Sequence, residues 1–171
     1  MTYRPKATGK KERLISFLLA LCAIALFAAS GFVTRFAGIY QISSIVFAVI
    51  SIEMYMKYVG SDYVYEAGDK SFKIYKISGK KSICVCSLDY EMSLSCVISN
   101  SEYEANKSEY PKTDFNVNYA KNLAPEHYSV YFFKFNGKTS MLKFEPDAEF
   151  SAYINEKIVA ALENADDEYD D

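Results

Sequence analysis

Two apolar stretches near the start of the chain decide its fold: LISFLLALCAIALFAASGFVT, residues 14–34, and FAGIYQISSIVFAVISI, residues 36–52. Neither stretch contains an acidic or basic residue. At about 1.5 Å of rise per residue, a helix over the first stretch is roughly 32 Å long, which matches the hydrocarbon core of a bilayer. The second stretch can continue through Met56, with Glu53 as its only acid. The sequence therefore predicts two transmembrane helices.

The connection between the two predicted helices is too short to contain a domain. It runs from about Arg35 to Tyr40, so residues 14–58 are expected to form a tight hairpin with both ends on one side of the membrane. Lys and Arg close to a span are retained in the cytoplasm. The basic residues before the hairpin are Arg4, Lys6, Lys10, Lys11 and Arg13, and Lys57 follows it. We therefore expect a multi-pass protein of the cell membrane with both termini in the cytoplasm.

Small residues within the spans predict how the two helices pack. Ala25 and Ala29 on the first helix, and Ser44 and Ala48 on the second, are each four residues apart, a spacing that lets helix backbones approach closely. Gln41 is a mildly polar residue, and such residues serve helix packing more often than transport.

Two features of the hairpin allow another interpretation. A secretory signal peptide is the alternative for residues 1–30, since a basic start, an apolar stretch and Ala28-Ala29-Ser30 resemble its three regions. The long apolar region and the second span after it favour the membrane hairpin. Glu53 stands four residues before Lys57, so the two side chains can pair at the inner boundary of the membrane. A functional carboxylate within the membrane is the competing interpretation of Glu53.

After Gly60 the pattern changes from long apolar runs to short alternating segments, which are typical of half-buried strands. Seven strands are predicted, at residues 63–67, 72–77, 83–88, 92–98, 115–119, 128–135 and 139–144. Asn136-Gly137 fits a two-residue type I′ turn between the last two strands, because both residues tolerate positive φ. The strand at 128–135 is apolar on both faces, which favours a central position between two layers. We expect an α+β protein with a mainly antiparallel β domain.

Four further segments complete the predicted organisation. Residues 1–13 form a basic cytoplasmic arm with no expected fixed structure. Residues 99–112 are polar and without a sustained period, which predicts a long exposed loop. An amphipathic helix begins near Pro146 and completes the β domain, residues 60–165. Residues 166–171 hold five acids in six positions and are predicted to be a solvated, disordered tail.

The chemical inventory of the chain points away from catalysis. His127 is the single histidine, and nothing near it in sequence marks a partner for nucleophilic catalysis. The seven glycines are scattered, so no phosphate-binding loop is recognisable. Structural zinc requires about four ligands, and the four cysteines are expected to be free thiols in a reducing cytosol. Cys84 and Cys86 are predicted to lie on the same face of a strand. We expect no enzyme activity, metal or cofactor.

One basic cluster is the candidate binding site. Its five members are Lys70, Lys73, Lys76, Lys80 and Lys81. Lysines in this number suit a contact with phosphate headgroups of anionic lipid or with an acidic partner. The alternative is that they protect the sheet from edge-to-edge aggregation. Residues 61–165 carry twelve lysines and fifteen acids, so nucleic-acid binding is not expected.

Two stretches follow the predicted spans: YVYEAGDKSFKIYKISGKK, residues 63–81, and KFNGKTSMLKFEPD, residues 134–147, which leads into the final helix. In this order they resemble small bacterial membrane proteins that carry a pleckstrin-homology-like domain, and are most similar to an uncharacterised family found in Firmicutes. The resemblance covers roughly residues 12–160 and implies seven strands in two near-orthogonal sheets, capped at one end by the C-terminal helix. It implies no particular activity and no site residue, and the long 99–112 segment departs from a minimal version of that fold.

The leading hypothesis is a non-enzymatic membrane-tethered module whose β domain recruits a protein partner beside the lipid bilayer. Tethering raises the local concentration of domain and partner, so a weak contact suffices. The first alternative is an anionic-lipid-sensing module that uses the five lysines between Lys70 and Lys81. The second is an accessory subunit of a transporter or envelope enzyme complex, with the hairpin as the docking surface.

Overall fold

The computed structural model describes residues 1–7 and 10–167, which divide into two compact units. One unit is helical and comprises Ala7–Asp62. The other is built from β-sheets and comprises Met1–Lys6 together with Tyr63–Asp171. The N-terminal residues therefore belong to the β unit, although the helical unit follows them directly in the chain.

The helical unit consists of two long apolar helices. Helix α1 spans Lys10–Ser30 and helix α2 spans Ala37–Met54, with a short 3-10 turn at Thr34–Phe36 between them and a π-helical turn at Tyr55–Val59 after them. Both are long and apolar enough to cross a membrane, which confirms the prediction of two apolar helices. Helix α1 begins four residues before the predicted start at Leu14.

The two helices pack through small polar residues that recur every seven positions. Ser16 Oγ donates to the carbonyl oxygen of Ser51 at 2.9 Å, and Ser51 Oγ donates to that of Ser16 at 2.8 Å. One heptad further along, Ser44 Oγ donates to Ala23 O at 2.8 Å. A seven-residue spacing keeps these groups on one face of each helix. The packing face predicted from Ser44 is therefore correct on α2, whereas the predicted Ala25 is exposed on α1.

The first sheet has four strands in the order β1-β2-β3-β4. Their bounds are Thr2–Tyr3, Asp62–Ala67, Ser71–Ser78 and Lys81–Asp89. The last three match the first three predicted strands to within two residues. β1 runs antiparallel to β2, and Tyr3 stands opposite Tyr65 in their register.

The start of the chain differs from the predicted unstructured arm. The Met1 ammonium donates to Ala67 O at 2.7 Å, and Ala67 N donates to Met1 O at 2.8 Å. The Tyr3 ring lies 5.7 Å from that of Phe150 in the core. Asn122 Nδ2 then donates to Lys6 O at 3.1 Å. A two-residue strand shows no alternating pattern, so sequence periodicity does not reveal it.

The second sheet also has four strands, in the order β5-β7-β8-β6. Their bounds are Ile98–Ser99 for β5, Phe115–Asn118 for β6, Ser129–Phe135 for β7 and Lys138–Phe144 for β8. The turn between β7 and β8 has φ of 49° at Asn136 and 76° at Gly137, which confirms the type I′ prediction. β6 runs parallel to β8, so this sheet is mixed.

The predicted strand at 92–98 is wrong for most of its length. A 3-10 turn occupies Tyr90–Met92, and Ser93 makes an isolated antiparallel bridge to Phe133. Only Ile98–Ser99 forms a strand, β5. The Ser93 hydroxyl bonds both Tyr90 O and the Tyr131 hydroxyl, so the segment is fixed by side-chain hydrogen bonds in place of a long ladder.

The main core lies between the sheets and the C-terminal helix. Helix α4 spans Ala148–Asp167 and confirms the predicted amphipathic helix. Its fully buried residues Phe150, Ile154 and Ile158 pack into a cluster that also contains Tyr65, Phe72, Ile74, Tyr131, Leu142 and Phe144. The helix includes the first two residues of the predicted acidic tail, and the rest of that tail, residues 168–171, lies outside the described residues.

A second, smaller core covers the other face of β7. Helix α3 spans Asn100–Ala105, and Ser99 Oγ caps it by accepting a hydrogen bond from Glu102 N at 3.3 Å. Tyr103 and Tyr110 pack on Phe132, with the Tyr110 and Phe132 rings stacked at 5.4 Å. The long exposed loop predicted at 99–112 is therefore wrong at Asn100–Ala105, which is helical, whereas residues 106–112 contain no helix or strand. The two-sided burial predicted for β7 is confirmed.

Candidate functional site

The β3–β4 hairpin contains four of the five lysines of the predicted binding site, and the fifth, Lys70, directly precedes β3. The hairpin turns through Gly79 and Lys80, and Ser78 stands opposite Lys81. Gly79 has φ of 59°, which a residue with a Cβ rarely adopts, so glycine at the first position of a two-residue turn fits a type II′ geometry. The turn fixes the register of both strands.

The structure does not bring the five lysines to one surface. Lys70 precedes β3 and Lys80 follows it, so the length of an eight-residue strand, roughly 26 Å, separates them. Lys73 lies between two fully buried neighbours, Phe72 and Ile74, and therefore points to the outer face. Lys76 has the opposite parity and lies on the inner face.

Three of the lysines converge at the tip of the hairpin. Lys76 stands opposite Ile83, Lys81 stands opposite Ser78, and Lys80 occupies the turn between them. Ile83 is 60% exposed, which is unusual for a large apolar side chain on a strand. We call the segment from Lys76 to Cys84 the hairpin tip.

A β-bulge separates the hairpin tip from the core. Ile74 stands opposite Cys86 and Tyr75 stands opposite Cys84, so Val85 is the extra residue. Cys84 is exposed, whereas Cys86 packs against the main core and burial raises its pKa to about 11. The prediction that the two thiols share a face is wrong, because the bulge shifts the alternation of β4 by one residue.

β4 is the terminal strand of its sheet. Within the residues that the structure describes, no strand pairs with its outer edge. At the bulge, the Tyr119 hydroxyl donates to Val85 O at 2.9 Å and occupies that part of the edge. Lys81, Ser82 and Cys84 are all exposed, so the open part of the edge lies in the hairpin tip.

The hairpin differs in charge from the rest of the β domain. Residues 70–88 contain five lysines and no acid. The remainder of residues 61–165 contains seven lysines and fifteen acids. The domain therefore carries a positive hairpin on an otherwise negative body, and this segregation favours an anionic ligand at the hairpin.

A shallow groove lies beside the end of β7. It has a volume of about 380 Å³ and a mixed lining, in which Met92, Leu94 and Phe135 stand beside Glu91 and Lys134. Leu94 N donates to Phe132 O at 2.9 Å and extends the edge of the sheet along this groove. Phe135 is 51% exposed, so the groove is open to solvent.

A second cavity, of about 470 Å³, lies between β5 and the start of α4. The exposed His127 is one of its lining residues. Asn155 on α4 accepts a hydrogen bond from Val97 N at 2.7 Å and donates to Val97 O at 3.2 Å. This side-chain amide takes the place of a neighbouring strand, so the β5 edge is occupied at Val97.

A buried polar cluster joins the N-terminal segment to the sheets. Glu145 is 8% exposed, and its two carboxylate oxygens accept from Asn122 N at 2.7 Å and Asn122 Nδ2 at 2.6 Å. The Tyr65 hydroxyl donates to Tyr119 O at 2.9 Å and accepts from Glu145 N at 3.2 Å. Burial raises the pKa of Tyr65 far above its ordinary value. The hydrogen bonds of Glu145, Asn122 and Tyr65 therefore hold the fold together.

Comparison with known proteins adds no family assignment. No protein-family model, curated protein or solved structure matches the chain. The resemblance to pleckstrin-homology-like membrane proteins therefore stays a prediction, and function has to be argued from the geometry of the two units.

Proposed function

We propose that the chain is a cell-membrane protein whose α1–α2 hairpin crosses the bilayer twice and whose β domain presents a binding surface to the cytoplasm. The observation that carries the proposal is the pairing of β1 with β2. These strands immediately precede and follow the helical unit, yet they are neighbours in one sheet. Two crossings return the chain to the side on which it began, whereas one crossing would separate the strands by a bilayer.

Charge supports the cytoplasmic side. Five basic residues precede the apolar part of α1, and Lys57 follows α2. The connection between the helices has Arg35 alone. The excess of Lys and Arg beside the ends of the hairpin favours retention of those ends in the cytoplasm.

The same strand pairing bears on the signal-peptide alternative. Cleavage near Ala28-Ala29-Ser30 would remove Tyr3 from the core together with β1. Tyr3 contacts the rings of Tyr65 and Phe150, and Met1 shares two hydrogen bonds with Ala67. A segment with these contacts favours a retained N-terminus over a cleaved leader.

We further propose that the β domain is pleckstrin-homology-like and acts by binding without catalysis. The meander β2-β3-β4, the β7–β8 hairpin and the C-terminal α4 over the core support that comparison. Two features depart from it: β1 extends the first sheet, and β6 joins the second sheet in parallel. The engagement of Glu145 and Tyr65 in internal hydrogen bonds supports a structural role for these buried groups.

Thiol labelling in intact cells tests this topology. Phe32 lies in the connection between the helices and is 89% exposed, so Phe32→Cys adds a thiol there. A membrane-impermeant maleimide should label that thiol in intact cells, and should label Cys84 and Cys96 only after the membrane is permeabilised. The parent chain without the Phe32 substitution is the control. Labelling of Cys84 in intact cells would exclude a cytoplasmic β domain.

A second candidate function is that of an accessory subunit docked through the hairpin. Gln41 and Glu53 on α2 are exposed, whereas the hydroxyls of Ser44 and Ser51 donate to backbone carbonyls of α1. Polar groups on an outer surface in lipid are costly unless a partner covers them. Gln41→Leu should then reduce co-purification of a membrane partner after crosslinking, and Ile42→Leu should not. Recovery of the same partner with both variants would remove this candidate.

A further inference from the structure

The backbone of the hairpin tip has hydrogen-bonding groups directed away from β3. Residues that flank a two-residue turn exchange hydrogen bonds, and bonded and non-bonded pairs alternate along an antiparallel ladder. Ser78 and Lys81 flank the turn, so the next bonded pair is Lys76 with Ile83. The N–H and C=O groups of Ser82 and Cys84 therefore point to the outer edge of β4. Two residues with this orientation form a short template for one added strand.

Side chains beside this edge combine one apolar group with positive charge. Ile83 is 60% exposed and lies on the same face as Lys81 and Lys76. An added strand places alternate side chains on that face, where an apolar residue opposite Ile83 and an acid opposite Lys81 are complementary.

Charge also decides between a second copy of the chain and a different partner. Pairing of two copies along this edge would bring six tip lysines together, three from each copy, with no acid between residues 70 and 88 of either chain. Repulsion between the lysines of two paired strands opposes association. An acidic segment gains from the same lysines. The edge is therefore unsuited to self-association and suited to an extended acidic chain.

We infer that the β4 edge at Ser82 and Cys84 binds an extended acidic polypeptide segment of a partner protein as an added strand. This inference deepens the proposed function and rests on it, since it assigns the partner class of the cytoplasmic domain. The bulge at Val85 and the Tyr119 hydroxyl limit the added strand to the hairpin tip. The contact is short, and anchorage of both partners at the membrane strengthens it through local concentration.

Anionic lipid is the other ligand that would satisfy the lysines. A headgroup phosphate accepts hydrogen bonds and pairs with ammonium groups, but it does not donate a regular ladder to the carbonyl groups of Ser82 and Cys84. The orientation of those backbone groups favours a polypeptide over a lipid surface. A measurement that reports on the edge backbone as well as on charge separates the two.

The experiment uses the full chain in nanodiscs of zwitterionic phosphatidylcholine. The probe is a fluorescein-labelled peptide of sequence TEVEVEVET, and the control peptide TQVQVQVQT has the same length and strand propensity without the charge. Fluorescence anisotropy should show binding of the acidic peptide, weakened by salt, and at least about tenfold weaker binding of the control. Hydrogen exchange should show protection of the Ser82 and Cys84 amides only with the acidic peptide present.

Two pairs of variants test the backbone and the charge separately. Cys84→Pro removes an N–H that points away from β3, a position that an edge strand tolerates, and should weaken binding about tenfold. Cys84→Ser keeps the N–H and should bind about tenfold more tightly than Cys84→Pro. Replacing Lys76, Lys80 and Lys81 by Gln should weaken binding about tenfold. The matched control replaces the exposed Lys107 and Lys112 by Gln and should change binding less than twofold.

Three results would overturn the inference. The first is equal binding of the acidic and glutamine peptides. The second is binding that survives Cys84→Pro, or occurs without protection of the Ser82 and Cys84 amides. The third is protection of the tip by phosphatidylglycerol nanodiscs alone, abolished by the lysine variant and unaffected by Cys84→Pro, which would assign the tip to lipid. Failure of the proposed topology is read separately from the maleimide labelling of Cys84 in intact cells.

Discussion

The helical unit and the β domain place opposite kinds of residue inside. In the helical unit, the surface between α1 and α2 contains serines such as Ser16, Ser44 and Ser51, while large apolar residues such as Ile24 and Ile45 are more than 60% exposed. In the β domain, aromatic and aliphatic residues are fully buried and the exterior is charged. The first arrangement fits lipid, which is the solvent that we propose for the helical unit.

The two units bury opposite kinds of residue because their internal contacts replace contacts with different solvents. In lipid, burying Ile or Leu against another helix gains little, because the hydrocarbon tails are equally apolar. Hydrogen bonds from serine hydroxyls to the other helix stabilise packing more, because an unsatisfied polar group is costly in lipid. In water, removal of apolar area is the main driving force, at about 25 cal/mol per Å². The two packing patterns of this chain therefore fit two solvents, lipid as we propose for the helical unit and water for the β domain.

Loss of an aromatic ring from the main core should strongly destabilise the β domain. Phe72 is fully buried, with its ring 5.3 Å from that of Phe144. Phe72→Ala should lower the free energy of unfolding of the β domain by about 3–5 kcal/mol, because it removes contacts and leaves a cavity. Denaturant unfolding followed by tyrosine fluorescence measures the loss. Phe135→Ala, at a 51% exposed site, should cost less than about 0.5 kcal/mol.

A charged residue on the exposed surface of α2 should oppose its insertion into a membrane. Ile45 is 63% exposed on α2, and Ile45→Arg should raise the apparent free energy of membrane insertion of α2 by about 2.5–3.5 kcal/mol. A translocon insertion assay measures this change. Leu94→Arg, at a 47% exposed site of the β domain, should leave the stability of that domain nearly unchanged. Unaltered insertion with Arg at position 45 would mean that this exposed surface is not in lipid.

Burial of Cys86 against the main core should slow its reaction with alkylating reagents. Burial raises the pKa of Cys86 from the ordinary thiol value of 9.0 to about 11. The thiolate is the reactive form, so alkylation of Cys86 should rise about tenfold per pH unit up to pH 11. At pH 8 it should be roughly a hundredfold slower than in the denatured chain. Mass mapping after timed alkylation measures both rates. A plateau in the Cys86 rate below pH 10 would contradict its burial against the core.

The smallest effect concerns the helix that covers β7. Ser99→Ala removes the side chain that caps α3 and should lower local stability by about 1 kcal/mol. Faster hydrogen exchange at the Tyr103 amide would report the loss. Ser108→Ala is exposed and lies beyond the helix, so it serves as the matched control. Equal exchange in the two variants would show that the cap does not stabilise α3.

Sequence periodicity predicted the helices and strands that are long enough to show a repeating pattern. The two apolar helices, six of the seven predicted strands, the Asn136-Gly137 turn and the C-terminal helix were all predictable from periodicity and turn chemistry. Helix α3 was missed, although Ser99 and Glu102 at a spacing of three are a capping-box signal. The strand predicted at 92–98 failed because a 3-10 turn, an isolated bridge and the hydrogen bonds of the Ser93 hydroxyl fix most of this segment.

The candidate site was predictable only as a set of residues. Five lysines within a short stretch predicted a basic surface, but their distribution depends on the parity of β3 and on the turn at Gly79. The bulge at Val85 then places Cys84 outside and Cys86 inside. No pattern in residues 81–89 announces an extra residue, because a bulge is defined by the partner strand.

Uncharged runs and alternating runs in the sequence are enough to predict two long apolar helices followed by half-buried strands, because they fix the apolar area that each element offers. The tertiary structure pairs Thr2–Tyr3 with Asp62–Ala67 and leaves β4 at the edge of its sheet. These two kinds of information differ in range along the chain. Periodicity acts between residues a few positions apart, whereas strand order depends on hydrogen bonds between segments that lie about sixty residues apart in the chain.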